Sequence, residues 1–189
     1  MKKLLFLFIL ACAGTMTAQS TWKADPMHSK LAFAVTHLGI ADISGSFKSF
    51  DLSVTGAKAD FSDAVFDLTV DVASINTQVD PRDEHLRSAD FFDTAKYPKM
   101  TFKSTGVKMV SKDKYEVTGN LTMHGTTKPI KLQFWYRGTV ENPQSKALTA
   151  GFQVTGSLNR ADFGIGTKFP PPMISNEISI KADGELTKQ

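Results

Sequence analysis

The stretch YEVTGNLTM, residues 115–123, alternates at every step. Tyr115, Val117, Gly119, Leu121 and Met123 fall on one side, and Glu116, Thr118, Asn120 and Thr122 on the other. A period of two is the signature of a strand with one dry and one wet face. The same pattern spreads outward in both directions. Ile130, Leu132, Phe134 and Tyr136 alternate with Lys131, Gln133 and Arg137, and His124-Gly125 between the two runs is a turn signal. Leu148, Ala150, Phe152, Val154 and Leu158 alternate with Thr149, Gln153, Thr155 and Ser157, and a last run carries Ile174, Ile178, Ile180 and Leu186 against Glu177, Lys181, Asp183 and Glu185.

Upstream, Leu31, Phe33, Val35 and His37 share a face, as do Ala64, Phe66, Leu68, Val70 and Val72. Strands near 43–55 and 99–110 bring the total to about eight. Antiparallel strands with short connections and one solvated face are expected, closed as a barrel or paired as a sandwich. The periodicity does not separate these two. At 189 residues, with no internal repeat or linker, the chain is expected to form one domain over 19–189.

Residues 74–98, SINTQVDPRDEHLRSADFFDTAKYP, interrupt the alternation. Asp80 is placed as the N-cap and Pro81 at the first position of a short helical insertion over about 80–92, with Asp83 and Glu84 suited to a helix N-terminus. Asp83 and Arg87 are spaced as an i,i+4 pair. A helix this short needs the sheet to support it, and Leu86, Phe91 and Phe92 are the groups expected to dock it.

The first 18 residues read as a cleaved signal peptide: basic Met1-Lys2-Lys3, an apolar run Leu4–Gly14, and small residues up to Ala18. The apolar run is shorter than the roughly 20 residues a membrane helix needs, so no integral membrane span is expected. Cys12, the single cysteine, sits in this segment. Ile9-Leu10-Ala11-Cys12 loosely resembles a lipoprotein box, but Leu10 is unusual there, and acylation of Cys12 ranks behind cleavage after Ala18. Loss of Lys2 and Lys3 brings the formal net charge from +3 to about +1. With charges of both signs interspersed and no basic run, nucleic-acid binding has no electrostatic footprint.

Catalytic and metal-ligating patterns are weak. His28, His37, His85 and His124 show no HxH or HxxxH spacing, and GxSxG does not occur. No catalytic residue, metal site or required cofactor is assigned. The apolar inventory says more. Twelve of the fourteen phenylalanines lie beyond the leader, several on inward faces. Such an interior is either packed solid or hollow enough for a small ligand.

Several ordered fragments then combine. They are Asp25-x-x-His28-Ser29, Phe33-x-Val35-x-His37, Gly45-x-Phe47, Ser74-Ile75-Asn76-Thr77, Arg82-Asp83-x-His85-Leu86, Asp90-Phe91-Phe92-Asp93, Tyr97-Pro98, Gly119-x-Leu121-x-x-x-Gly125-x-Thr127 and Arg160-x-Asp162-Phe163-Gly164. Together they resemble the YceI-like family of periplasmic, lipocalin-like, polyisoprenoid-binding proteins, over essentially the whole chain after residue 18. The resemblance implies an all-β fold, an extended eight-stranded antiparallel lipocalin-like barrel with one short helical insertion. It implies a periplasmic or secreted carrier that holds an isoprenoid (a quinone or polyprenyl diphosphate) or a fatty-acid-like lipid, without catalysis.

On that footing the expected lining is Phe33, Val35, Phe66, Leu68, Val70, Leu121, Phe134, Phe152 and Val154 from the strands, with Leu86, Phe91 and Phe92 from the insertion. His37, Arg82 and Arg160 are candidates for a polar head group or for bracing the barrel. The partner expected is the lipid itself, and a homodimer stays open. Two other readings also stay open: an interaction or stress-related barrel with a self-filled core and, ranked last, a His-dependent metal hydrolase.

Overall fold

The computed structural model describes residues 19–189; the expected leader, its expected cleavage site and Cys12 lie outside the described residues. In chain order the elements are β1 (Ser20–Ala24), β2 (Lys30–His37), β3 (Ala41–Phe47), β4 (Phe50–Gly56), β5 (Val65–Asp71), β6 (Ile75–Asn76), α1 (Asp80–Arg87), β7 (Lys99–Ser111), β8 (Lys114–Met123), β9 (Thr126–Glu141), β10 (Leu148–Asn159) and β11 (Ile174–Lys188). Among the described residues no helix is long and apolar enough to cross a membrane.

Eleven segments make eight long strands. β11 pairs with β2 from Ile174 to Asp183 and with β1 from Leu186 to Lys188, so β1 and β2 are one strand broken at 25–29. β3 and β4 pair with β2 and β1 in turn, and β6 and β5 pair with β3 and β4. Each of the first three long strands is therefore kinked once. All pairings are antiparallel, and the contact of β1 with β11 closes the ring β1-β4-β5-β7-β8-β9-β10-β11. Closure removes the unpaired edge that an open sheet would leave in water. The result is the all-β eight-stranded barrel expected from the alternation and the resemblance.

His124 and Gly125 both have positive φ, 51° and 74°, as a two-residue hairpin between right-twisted strands requires. The alternation misleads at the start of β10. Leu148 is exposed there while Thr149 and Ala150 are buried, and further along the β9–β10 register shifts between Gly151 and Phe152, leaving Arg137 of β9 without a partner.

The helix is shorter than expected. It starts with Asp80 inside the first turn and Val79 at the N-cap without a side-chain bond. It stops at Arg87 because Ser88 turns extended, and the backbone N–H groups of Phe92 and Thr94 then take the carbonyls of Leu86 and Arg87 at 3.0 Å each. The Asp83–Arg87 pair does not form. Arg87 donates instead to the carbonyls of Ala73 (2.8 Å) and Ile75 (3.0 Å), tying α1 to the strand before it.

The barrel interior divides along its axis. The end that holds the β4–β5, β7–β8 and β9–β10 connections is packed solid with aromatic rings. Phe134 lies at its centre, 5.0 Å from Phe66, 5.9 Å from Tyr115, 6.1 Å from Phe61 and 6.5 Å from Phe152, and Trp22 closes on Phe61 at 5.4 Å. Tyr115 is fully buried and its hydroxyl donates to the Asp60 carbonyl at 2.6 Å. Pairs in this geometry add about 0.5–1.5 kcal/mol each beyond the area they bury.

Candidate functional site: an apolar cavity beneath the helix

The other half of the barrel is hollow. A cavity of about 500 Å³ lies between the aromatic floor and a cover made of α1, the turn after it and the segment 160–173. Its size falls in the usual range for a small-molecule site. From the strands its wall takes Leu31, Phe33, Val35, Ile43, Phe47, Leu68, Met100, Phe102, Leu121, Met123, Ile130, Leu132, Val154, Leu158, Ile178 and Ile180. Leu86, Phe91, Phe92, Ile165, Phe169 and Met173 reach it from the cover.

Of the lining expected from the sequence, Phe33, Val35, Leu68, Leu121 and Val154, together with Leu86, Phe91 and Phe92, reach the cavity. Phe66, Phe134 and Phe152 do not; they form the floor. Val70, fully buried, also stays off the cavity surface. All four face inward as the alternation requires, but facing does not reveal which end of the barrel is filled.

Two glycines let rings lie flat across the wall. A Cβ on Gly45 would collide with the Phe33 ring, and one on Gly119 with the Phe102 ring. The small residues in these strands therefore seat aromatic rings instead of leaving empty room.

The cover is held by aromatic contacts and a small charged clasp. Phe91 stacks on Phe169 at 5.0 Å with the rings 7° apart, and the His85 ring meets both edge-on at 5.0 and 5.5 Å. Asp90 accepts from Lys168 and lies 3.2 Å from His85 Nε2, joining the turn after α1 to the segment before β11. The Lys168 ammonium, then His85, hold the Asp90 carboxyl below the usual carboxylate value. Phe92 packs edge-on against Phe47 at 6.0 Å.

Four charged or titratable side chains line the cavity: His37, Arg82, His85 and Arg160. Arg160 is buried, and all five of its N–H groups are spent on backbone carbonyls. Nε binds Ser175 at 2.9 Å, Nη1 binds Ile165 at 2.8 Å and Gly166 at 2.6 Å, and Nη2 binds Phe169 and Ile174. Burial pushes its guanidinium below the usual arginine value. Arg160 is thus a brace that shapes the covering segment.

Arg82 differs. It gives Nε to Thr77 Oγ1 at 2.7 Å and Nη2 to the Thr77 carbonyl at 2.9 Å, with no carboxylate in ion-pair range among the described residues. Behind it Asp83, 2 % exposed, accepts from the Thr77 N–H at 2.8 Å and from the Thr77 hydroxyl at 2.5 Å. His37 stands exposed at the end of β2, and its ring makes no hydrogen bond among the described residues.

The histidines do not converge on a metal. His124 Nδ1 lies 3.0 Å from the Phe163 carbonyl, and its ring packs edge-on against Tyr97. Asp25, His28 and Glu185 do place ligand atoms within 4.8 Å of one another, at the break between β1 and β2 and off the cavity wall. The hydrogen bond of His28 to Asp25, 2.9 Å, accounts for this grouping; it raises the His28 pKa and lowers that of Asp25.

The barrel fold is shared with known proteins. The model of the YceI-like domain matches residues 22–186. The chain belongs to the YceI-like family. Protein YceI of Escherichia coli O6:H1 is 35% identical over 187 residues, covering 98% of this chain and 96% of that protein. Among solved structures, Burkholderia cenocepacia BcnA matches with a TM-score of 0.77 at 24% identity, covering 86% of this chain and 98% of its own. A polyisoprenoid binding domain from Saccharophagus degradans, implicated in plant cell wall breakdown, matches with a TM-score of 0.66 at 19% identity over 92% of this chain and 99% of that one. At those identities the two structures bear on the fold alone.

Proposed function

We propose that this YceI-like protein is a non-catalytic lipid carrier, periplasmic or secreted, that holds an isoprenoid or other long-chain lipid in the cavity beneath α1. The observation that carries this reading is the apolar hollow of about 500 Å³ in a barrel whose other half is solidly packed. A protein with enough aromatic residues to fill one half, and a lined void in the other, favours the carrier over a self-filled interaction barrel. Each CH₂ moved from water into such a space gains about 0.8 kcal/mol, so a chain of many carbons needs no covalent chemistry to be retained.

Native mass spectrometry of protein purified from a bacterial host tests the proposal. The expected result is a co-purified apolar molecule of several hundred daltons, or uptake of an added quinone or fatty acid. A bare polypeptide mass that takes up neither would exclude it.

A further inference from the structure

We infer that the cavity selects lipids with an anionic, hydrogen-bond-accepting head, a carboxylate or a phosphate, and that Arg82 is the residue that reads it. This rests on the carrier reading and adds the chemistry of the head to that of the tail.

The argument is an inventory of donors. Among the described residues, no Asp or Glu lines the cavity, while two arginines and two histidines do. Arg160 has no N–H left to offer. Arg82 commits two of the five guanidinium N–H groups, both to Thr77, and three remain. The carboxylate next to it in sequence, Asp83, does not compete for them. It is buried behind Thr77 and takes that residue's N–H and hydroxyl, so Thr77 both accepts from Arg82 and donates to Asp83.

The chain Asp83–Thr77–Arg82 fixes the guanidinium from behind, leaving the rest of it directed at a cavity of otherwise apolar character. In such surroundings a charge-assisted hydrogen bond is stronger than in water. An ammonium head would meet an arginine and no acid. An alcohol could accept one bond without the charge. Carboxylate and phosphate fit the same donors, in two- and three-oxygen forms.

The test is equilibrium binding of four dodecyl compounds below their aggregation thresholds: dodecanoate, dodecyl phosphate, dodecanol and dodecylamine. The tail is constant and only the head changes. The intact protein is expected to bind one or both anions at least roughly tenfold tighter than dodecanol, and dodecylamine weakest. Whichever anion binds more tightly names the source of the head.

In Arg82→Gln the anion-to-alcohol ratio is expected to collapse toward one, and Arg82→Lys, which keeps the charge, is expected to retain part of it. Equal affinity for all four heads, or a preference for the amine, overturns the inference without touching the carrier reading. So does an Arg82→Gln protein that loses affinity for every head by the same factor, since Arg82 would then act on shape alone. If no dodecyl compound binds while an added quinone does, this inference alone falls; if neither binds, the carrier reading falls with it.

Discussion

Arg160 spends every N–H on backbone carbonyls between Ile165 and Ser175, and the segment before β11 is wound around it. Removing the side chain strands those acceptors in a buried place, each without its charged donor. Hydrogen bonds to charged groups are worth about 1.5–3 kcal/mol apiece, though not additively. Arg160→Ala is therefore expected to destabilise by at least about 3 kcal/mol, read as a lowered midpoint in denaturant. Arg160→Lys should recover little, because an ammonium has three donors and cannot span the fork. Arg82, the same residue type on the same cavity, keeps donors free. In the sequence both arginines read alike, as head-group or bracing candidates, because their difference lies in carbonyls that every residue carries. Asp83 was legible as acidic and N-terminal to the helix, but its buried link to Thr77 depends on a turn that residue spacing does not encode.

Secondary-structure elements were read with more success where one face meets water. The six runs of alternation and the two strands expected near 43–55 and 99–110 correspond to the eight long strands, and the turn at His124-Gly125 announced its hairpin. The kinks at 25–29, 48–49 and 72–74 were hidden, since a kinked strand keeps its period on either side. The helix was placed correctly and overextended, because the end of α1 is set by Phe92 and Thr94 folding back on it. That turn delivers Asp90 to Lys168 and His85, so the clasp belongs to the element scale. Asp90→Asn is expected to speed release of a bound lipid at neutral pH, measured by stopped-flow transfer to acceptor vesicles. Because the folded Asp90 value is lowered, the clasp is complete above the ordinary carboxylate value, about 4, and is lost as pH falls through the lowered one. An acceleration confined to that acidic range is the matching pH profile for the unaltered protein.

At the scale of the whole molecule, one barrel performs two tasks in two halves. Stability is concentrated where Phe134 meets Phe61, Phe66, Tyr115 and Phe152. Phe134→Ala should cost about 3–5 kcal/mol in unfolding free energy. Val154, on the cavity wall, is a different case. Val154→Trp is expected to lower lipid affinity about tenfold or more while leaving the thermal midpoint near its original value, because the added ring enters existing space. A large loss of stability there would mean that the hollow closes in solution. Alternation showed which residues face inward and could not apportion them between halves, since axial position depends on strand stagger. The solid floor also makes the hollow a blind sleeve, filled at one end and covered at the other. On the carrier reading, cargo would go in tail first and leave head first by the same route, which suits ferrying one molecule and not conducting a stream of them. With the floor fixed at one end and Arg82 near the other, the barrel would on that reading act as a gauge: tails too short would leave the bottom empty, and tails too long would push the head past its reader.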